Sequence, residues 1–276
     1  MPVVQNSVVI VSCNKKKALW ALLKSLKIEE ATTSEVIVVD SASFDGSADM
    51  VAEDFPQVQL IRCGHNRGFA SAAGRGIAKA MGQAIVLCHG DIVAEIHTLV
   101  ELADRVRMGS SSASSQRVVA AVPRIVGVDG AEQPSVGRLP GLGRGMIGVF
   151  NPSVARKCYT SSLDHVADHE WTTLTCMAID AEALTRIGSL DPQFFLYWAD
   201  ADLCQRIHDR GYRIAIRRDV KVTHTGRSPN DPLPDELRRL MRRDQRRYFA
   251  KHRPAWEGKL LGVDEKIYKF ISRESA

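Results

Sequence analysis

Ser7-Val8-Val9-Ile10-Val11-Ser12, closed by Cys13-Asn14, is the run from which the chain is best read. Four consecutive β-branched and aliphatic residues between polar ends form a short strand buried on both faces. Asn14 ends it, and Leu19, Leu22, Leu23 and Leu26 then recur at helical spacing over 18–26. The same alternation repeats. Glu35-Val36-Ile37-Val38-Val39-Asp40 is a second strand, and Asp45-Gly46-Ser47 is a turn that starts a helix through Met50 and Val51. Val58 to Ile61 is a third strand, Phe69 to Ala80 an Ala/Gly-rich helix, and Ala84 to Cys88 a fourth strand ending in His89-Gly90-Asp91. Strands alternating with helices predict an α/β fold, a central mostly parallel sheet flanked by helices.

Ligands of such sheets bind beyond the carboxyl ends of the strands. Asn14, Asp40, Asn66 and Asp91 all fall there. Each has a plainer reading: Asn14 and Asn66 as turn formers, Asp40 as an Asx-type turn, Asp91 as the cap of a helix over 94–106. The set of four in one crevice favours a ligand site. A Rossmann dinucleotide site is excluded because Gly74-Arg75-Gly76 lies inside a helical stretch, and a P-loop is absent.

Composition is that of an ordinary globular protein: 276 residues, 45% hydrophobic, 25% charged, net charge +5. The six cysteines are scattered without a CxxC pair and read as reduced thiols of a cytoplasmic protein. No basic leader precedes the first apolar run, and no run approaches the ~20 residues needed to span a bilayer.

In the second half, Gly109 to Ser115 is a flexible loop and Val118 to Val122 a strand. Residues 123–151, rich in Gly and Pro with Arg124, Arg138 and Arg144, suggest a mobile lid. Asp164 to Glu170 holds two His at i and i+4 but not the His-Glu-x-x-His order, and reads as a solvated turn before a strand over 172–179. In Tyr197-Trp198-Ala199-Asp200-Ala201-Asp202-Leu203-Cys204, Asp202 suits the positive start of an amphipathic helix. Asp200 is then expected on the turn ahead, free to face a cleft. From Asp235 to Ala250 a helix carries Leu237, Leu240, Met241 and Tyr248 on one face, beside rows of Arg238, Arg242, Arg246 and Arg239, Arg243, Arg247. These rows are either a solvated face or a contact for an anionic membrane surface or lipid diphosphate. No nucleic-acid partner is expected, since no reading motif or aromatic platform accompanies the charge.

The runs 9–14, 38–47, 66–70 and 87–91, then Cys176 to Ile179, Ile187 to Leu203, Arg210 to Arg213 and Val220 to His224, resemble in order the inverting family-2 glycosyltransferases of GT-A fold, in their rhamnosyltransferase-like branch. The resemblance implies transfer of a sugar, with inversion, from a nucleotide-sugar (UDP- or dTDP-linked) to a saccharide or lipid-linked acceptor in cell-surface polysaccharide synthesis. The protein would work in the cytoplasm or peripherally at the inner face of the membrane. It implies Asn14, Asp40, Asn66, Gly68 and Arg75 for the donor, with Asp40 at the base. It also implies Asp91 and His224 at a divalent metal, Mn²⁺ or Mg²⁺, and Asp200 as general base. Trp171 and Trp198 could stack on an acceptor sugar or pack in the core; His224 could equally be a polar strand-end residue. Residues 1–228 would be the GT-A domain, 1–122 its nucleotide-sugar half and 123–228 its acceptor-facing half, with 229–276 a basic helical extension.

The chain departs from the family at Ser41, where Asn is usual, at Gly74, at Ala199, where a carboxylate commonly precedes the base, and at His89-Gly90-Asp91 in place of Asn-Pro-Asp or Asp-x-Asp. Two other readings compete. A nucleotidyltransferase would want a Gly-rich, Lys-bearing loop after the first strand, and Asn14-Lys15-Lys16-Lys17 supplies lysines without glycine. A degenerate GT-A fold kept for binding or assembly would draw support from Ala199 and His89.

Overall fold

The computed structural model describes residues 4–30, 33–110, 117–141, 170–227 and 234–260. Strands β1 (Asn6–Ser12), β2 (Ser34–Asp40), β3 (Gln59–Arg62) and β4 (Ala84–His89) alternate with helices α1 (Lys16–Leu26), α2 (Ser47–Asp54) and α3 (Phe69–Ile77). After β4 come the short β5 (Ile92–Val93), α4 (Ile96–Ser110), β6 (Val118–Val126) and β7 (Val136–Gly137). The second half supplies β8 (Trp171–Thr172), β9 (Cys176–Asp180), α5 (Ala181–Ile187), α6 (Ala199–Asp209), β10 (Arg213–His224) and α7 (Asp235–His252).

One sheet of eight strands runs in the order β3-β2-β1-β4-β9-β6-β10-β5. The pairs within β3-β2-β1-β4 are parallel, β9 is antiparallel to both neighbours, and β10 runs parallel to β6. Both faces are covered, as the β-branched strands require. Val9 and Val11 point into a core shared with α3, α5, α6 and α7, whereas Val8 and Ile10 point into one shared with α1, α2 and α4. The two-residue period of the strand thus feeds two cores.

The strand expected over 172–179 is two strands. Thr173 N–H bonds the Ser135 carbonyl, keeping β8 in a ribbon with β7, while His89 N–H takes the Thr175 carbonyl and draws β9 into the main sheet. The helix at Asp200 also begins earlier than expected. Trp198 adopts a left-handed φ of 68°, and its carbonyl already accepts Asp202 N–H at 2.9 Å. Asp200 therefore lies in the first turn of α6, not on the turn ahead. Asp202 does not serve as an exposed helix-end charge. It is fully buried, with Arg206 and Lys251 each at 2.8 Å and His252 at 2.7 Å. These partners outweigh burial and hold its carboxyl at about 2. Tyr248 and Phe249 of α7 are buried in the same core as α3 and α6. Residues 142–151, with Arg144, Cys158 and the 164–169 run lie outside the described residues; the other five cysteines are free thiols.

Candidate active site

The parallel strands end on one side of the sheet, and their polar terminal residues are bonded to one another. Asn14, at a left-handed φ of 51°, accepts Phe44 N–H on Oδ1 at 2.9 Å and donates its backbone N–H to Ser43 Oγ at 2.9 Å. It fastens the loop after β1 to the loop after β2. Asp40 is buried; its Oδ1 accepts Ser43 N–H at 2.9 Å, the Asx turn read from sequence. Its Oδ2, also buried, has no hydrogen-bond partner among the described residues. An acceptor left so costs ~1–3 kcal/mol, and an N–H of a ligand would relieve it. Asn66 Oδ1 accepts Gly68 N–H at 2.9 Å and Ser41 Oγ–H at 3.2 Å. Beside this network lies a cleft of ≈ 430 Å³ lined by Ser41, Cys63, His65, Arg67, Ser71 and Arg75. Arg67 and Arg75 are exposed there. Gly68, at φ +90°, lies against the backbone of Phe195, where a Cβ would overlap the Phe195 carbonyl.

Asp91 is the buried end of the β4–β5 turn, 2% exposed. It does not cap α4. The antiparallel register of β10 on β5 sets His224 opposite Ile92, one residue from Asp91. Thr225 locks this junction through N–H and Oγ–H bonds to the Asp91 carbonyl, 2.8 and 2.9 Å. The Asp91 carboxylate consequently faces His224 Nε2 at 3.6 Å and His89 Nδ1 at 3.9 Å, and pairs with Lys15 Nζ. Burial works to raise its pKa, but the neighbouring His224 and the charges around it prevail and hold it well below the usual carboxylate range. Burial likewise pushes His89 down to about 4, so its imidazole is neutral near pH 7 with a lone pair to offer.

These groups fit a divalent cation. Ligand atoms of His89, Asp91 and His224 all lie within 4.8 Å of one another. Asp91 Oδ1 is buried without a hydrogen-bond partner. Gly226 closes over the cluster: a Cβ there would overlap Asp91 Oδ2 and come within 2.7 Å of His224 Nε2. His224 Nδ1 meets Gln133 Oε1 at 2.9 Å, which sets the tautomer that leaves Nε2 free for a metal. Sequence reasoning named Asp91 and His224. It saw His89 only as a departure and missed Lys15, Gln133 and Gly226, because these come together only through sheet register and loop return.

Asp200 stands in the first turn of α6, a few residues after Phe195. It is half-buried, Oδ1 accepts Ala201 N–H at 2.8 Å, and the Trp171 indole N–H bonds the carboxylate. Burial pushes its carboxyl up to about 6 against those bonds. Continuity with the metal cluster runs through Phe195, whose carbonyl accepts Phe69 N–H at 2.6 Å, and through the Phe69 ring, 4.8 Å from that of His89. Trp171 is thus tied to Asp200. Trp198 packs on Tyr248 and Phe249, centroids 5.3 and 6.1 Å away, which is the core alternative for that ring.

Residues 7–124 match the model of Glycosyl transferase family 2. Over this segment, somewhat under half of the chain, the sequence is similar to the family 2 glycosyltransferases. The chain is similar to N-acetylglucosaminyl-diphospho-decaprenol L-rhamnosyltransferase of Mycobacterium tuberculosis, in strains CDC 1551 and H37Rv, with 26% identity over 252 residues, 82% of this chain and 79% of the relative. In three dimensions it resembles the mannosyltransferase PcManGT from Pyrobaculum calidifontis, solved with GDP-Man and Mn²⁺ (TM-score 0.56, 19% identity, 96% of this chain and 71% of that one). It also resembles S. aureus TarS 1-349 with UDP-GlcNAc (TM-score 0.57, 15% identity, 93% and 70%). The glycosyltransferase fold is therefore GT-A.

The cluster makes its own prediction. Asp91→Asn should abolish Mn²⁺ binding, and Gln133→Leu, which frees the His224 ring to turn, should weaken it ~10–100-fold. Electron paramagnetic resonance of free Mn²⁺ reads both. Wild-type affinity in both variants would place the cation elsewhere.

Proposed function

We propose that this glycosyltransferase transfers a hexosyl or rhamnosyl group from a UDP- or dTDP-sugar to an acceptor hydroxyl with inversion, Asp200 acting as general base. The supporting observation is a half-buried carboxyl, aimed by Trp171 and the first turn of α6, on a segment whose Phe195 carbonyl is bonded to Phe69, the ring neighbour of His89. In a single displacement the acceptor oxygen bonds to the anomeric carbon as the bond to the diphosphate oxygen breaks, and the acceptor proton passes to Asp200. A carboxyl poised at about 6 is ionised at pH 7, yet basic enough to take that proton. Asp40, through its unpartnered Oδ2, would receive an N–H of the nucleobase, and Arg67 and Arg75 would line the donor cleft. His89, Asp91 and His224 would hold a divalent cation, whose chemistry when bound is to offset charge growing on the leaving diphosphate. Two imidazoles with one carboxylate favour Mn²⁺ over Mg²⁺.

Within this reading, 1–122 is the donor half and 123–228 the acceptor half. Trp171 borders the acceptor. A lipid-linked saccharide is the proposed acceptor, as the mycobacterial relative's name describes for that protein. No helix among the described residues is long and apolar enough to cross a membrane. Approach to a lipid acceptor at the inner face would then use α7, where Arg238, Arg239 and Arg246 are exposed. Arg247, by contrast, is turned to the Gln193 carbonyl and Asp244. Cationic residues near an anionic surface contribute ~1 kcal/mol each. Replacing these three exposed arginines by Gln should therefore weaken binding to phosphatidylglycerol vesicles ~100-fold at low salt. Equal sedimentation with vesicles by both proteins would reduce them to a solvated face.

The central test pairs two carboxylates. Asp200→Asn should bind nucleoside diphosphate normally and transfer sugar ~10²–10⁴-fold more slowly. The wild-type rate should fall as pH drops through about 6, because the base must be ionised. A carboxyl raised by burial destabilises the fold above its folded pKa, so Asp200→Asn should also melt higher at pH 7. Asp202→Asn should act oppositely. Its carboxyl is depressed to about 2, so its contribution is present above the unfolded value of ~4 and lost as pH falls through about 2. Breaking such a buried pair costs ~3–5 kcal/mol. Full transfer by Asp200→Asn would remove the base from Asp200.

A further inference from the structure

The C-terminal helix α7 lies outside the matched family segment, yet one of its faces meets the segment that carries Asp200 at three levels. Asp244, Tyr248 and the pair Lys251 and His252 recur at i, i+4 and i+7/i+8, which is one side of a helix. Asp244 is fully buried, and its Oδ2 accepts two successive backbone N–H groups, Phe195 at 3.0 Å and Leu196 at 3.2 Å. Its Oδ1 meets Arg243 at 3.2 Å and Arg247 at 3.3 Å, so the buried charge is compensated. A turn further on, Tyr248 and Phe249 hold Trp198, whose left-handed backbone is costly for a residue other than glycine. At the end of the helix, Lys251 and His252 grip Asp202. Asp200 lies between the second and third of these contacts.

We propose that Asp244 is a positioning residue for sugar transfer: by fixing the Phe195–Leu196 backbone it sets where α6 delivers the Asp200 carboxylate relative to the donor half. The donor side of this joint is equally close. The Phe195 carbonyl takes the N–H of Phe69, first residue of α3, and Gly68 beside it leaves no room for a side chain. The Phe195 and Leu196 N–H groups share one carboxylate oxygen, and this stretch of backbone would move if that acceptor were lost. A shift of the joint moves Asp200 against the donor. Misplacement on the order of 1 Å is enough to cost ~10²-fold in rate. This inference rests on the assignment of Asp200 as base.

The experiment is a double-mutant cycle with Asp200→Asn and Asp244→Asn, which keeps size but removes the charge and turns an NH₂ either on the Phe195 and Leu196 N–H groups or on Arg243 and Arg247. Rates are measured well below the melting temperature, alongside nucleoside diphosphate affinity. Asp244→Asn alone should lower kcat ~10²-fold with donor affinity unchanged. It should also move the acid limb of the kcat–pH profile below its wild-type position, as water reaches a loosened Asp200. The double variant should be no slower than Asp200→Asn, because both act through one group. A lowered melting temperature with wild-type kcat and acid limb would make Asp244 a purely structural brace and overturn the proposal. So would rate losses that multiply in the double variant. Full activity of Asp200→Asn alone would instead overturn the base assignment, and separates that failure from the other two. If Asp244→Asn is too unstable to assay, Arg247→Gln, which leaves the shared acceptor of both N–H groups in place, should show a smaller loss of the same kind; wild-type behaviour there together with an unchanged acid limb would count against the proposal.

Discussion

A buried carboxylate needs a counter-charge, and the end of β4 is built around that need. Asp91 is set below the surface by the tight turn into β5, and the antiparallel return of β10 is pinned to its carbonyl through Thr225. His89, His224 and Lys15 surround the carboxylate because the sheet order brings the ends of β1, β4 and β10 to it. In water such a cluster would be worth little. With Asp91 nearly inaccessible, one oxygen unpartnered and Gly226 sealing one side, it has the make-up of a place where the proposed divalent cation would replace or join the Lys15 ammonium. In the proposed function the donor side follows from this anchor: the diphosphate end of a nucleotide would lie near the cation, and the base toward Asp40, across the ends of β1 and β2.

The acceptor side depends on a second set of buried carboxylates with the opposite task. Asp202 and Asp244 are each saturated by cations or backbone N–H groups, and both tie α7 to the 194–204 segment. Asp200, between them, has the Ala201 N–H, its own N–H and the Trp171 indole, which do not offset its burial, and its proton affinity rises. Within one short segment, then, neighbouring carboxylates are pushed in opposite directions, Asp202 down and Asp200 up, as the proposed base requires.

The parallel half of the fold was legible because its signals are local. Runs such as 8–11 and 36–39 are β-branched, the leucines of α1 keep helical spacing, and polar residues punctuate each strand end. Asp91, His224 and Asp200 were legible as residue types in ordered motifs. What sequence hid was whatever depends on register or on distant packing. His89 became a ligand candidate only when β10 was placed against β5. Gln133 reached His224 only through the return of the loop after β6. The first turn of α6 was misjudged by one element boundary, since nothing local announces that Trp198 will take a left-handed conformation; its reason is the bed of Tyr248 and Phe249, some fifty residues later in the chain. The arginines of α7 looked equivalent along two rows, yet Arg243 and Arg247 turn to Asp244, whose role no spacing rule reveals.

The claim on which the account stands is that one crevice holds both a cation at Asp91 and a nucleotide-sugar within reach of Asp200. Crystals grown with Mn²⁺ and an unhydrolysable UDP-sugar, measured at the manganese absorption edge, test it directly. The predicted result is an anomalous peak at ~2.0–2.3 Å from Asp91 and from His224 Nε2, Lys15 displaced toward the diphosphate, the base hydrogen-bonded to Asp40, and the open face of the anomeric carbon turned to Asp200. A peak elsewhere, or a nucleotide whose anomeric carbon faces away from Asp200, would contradict it.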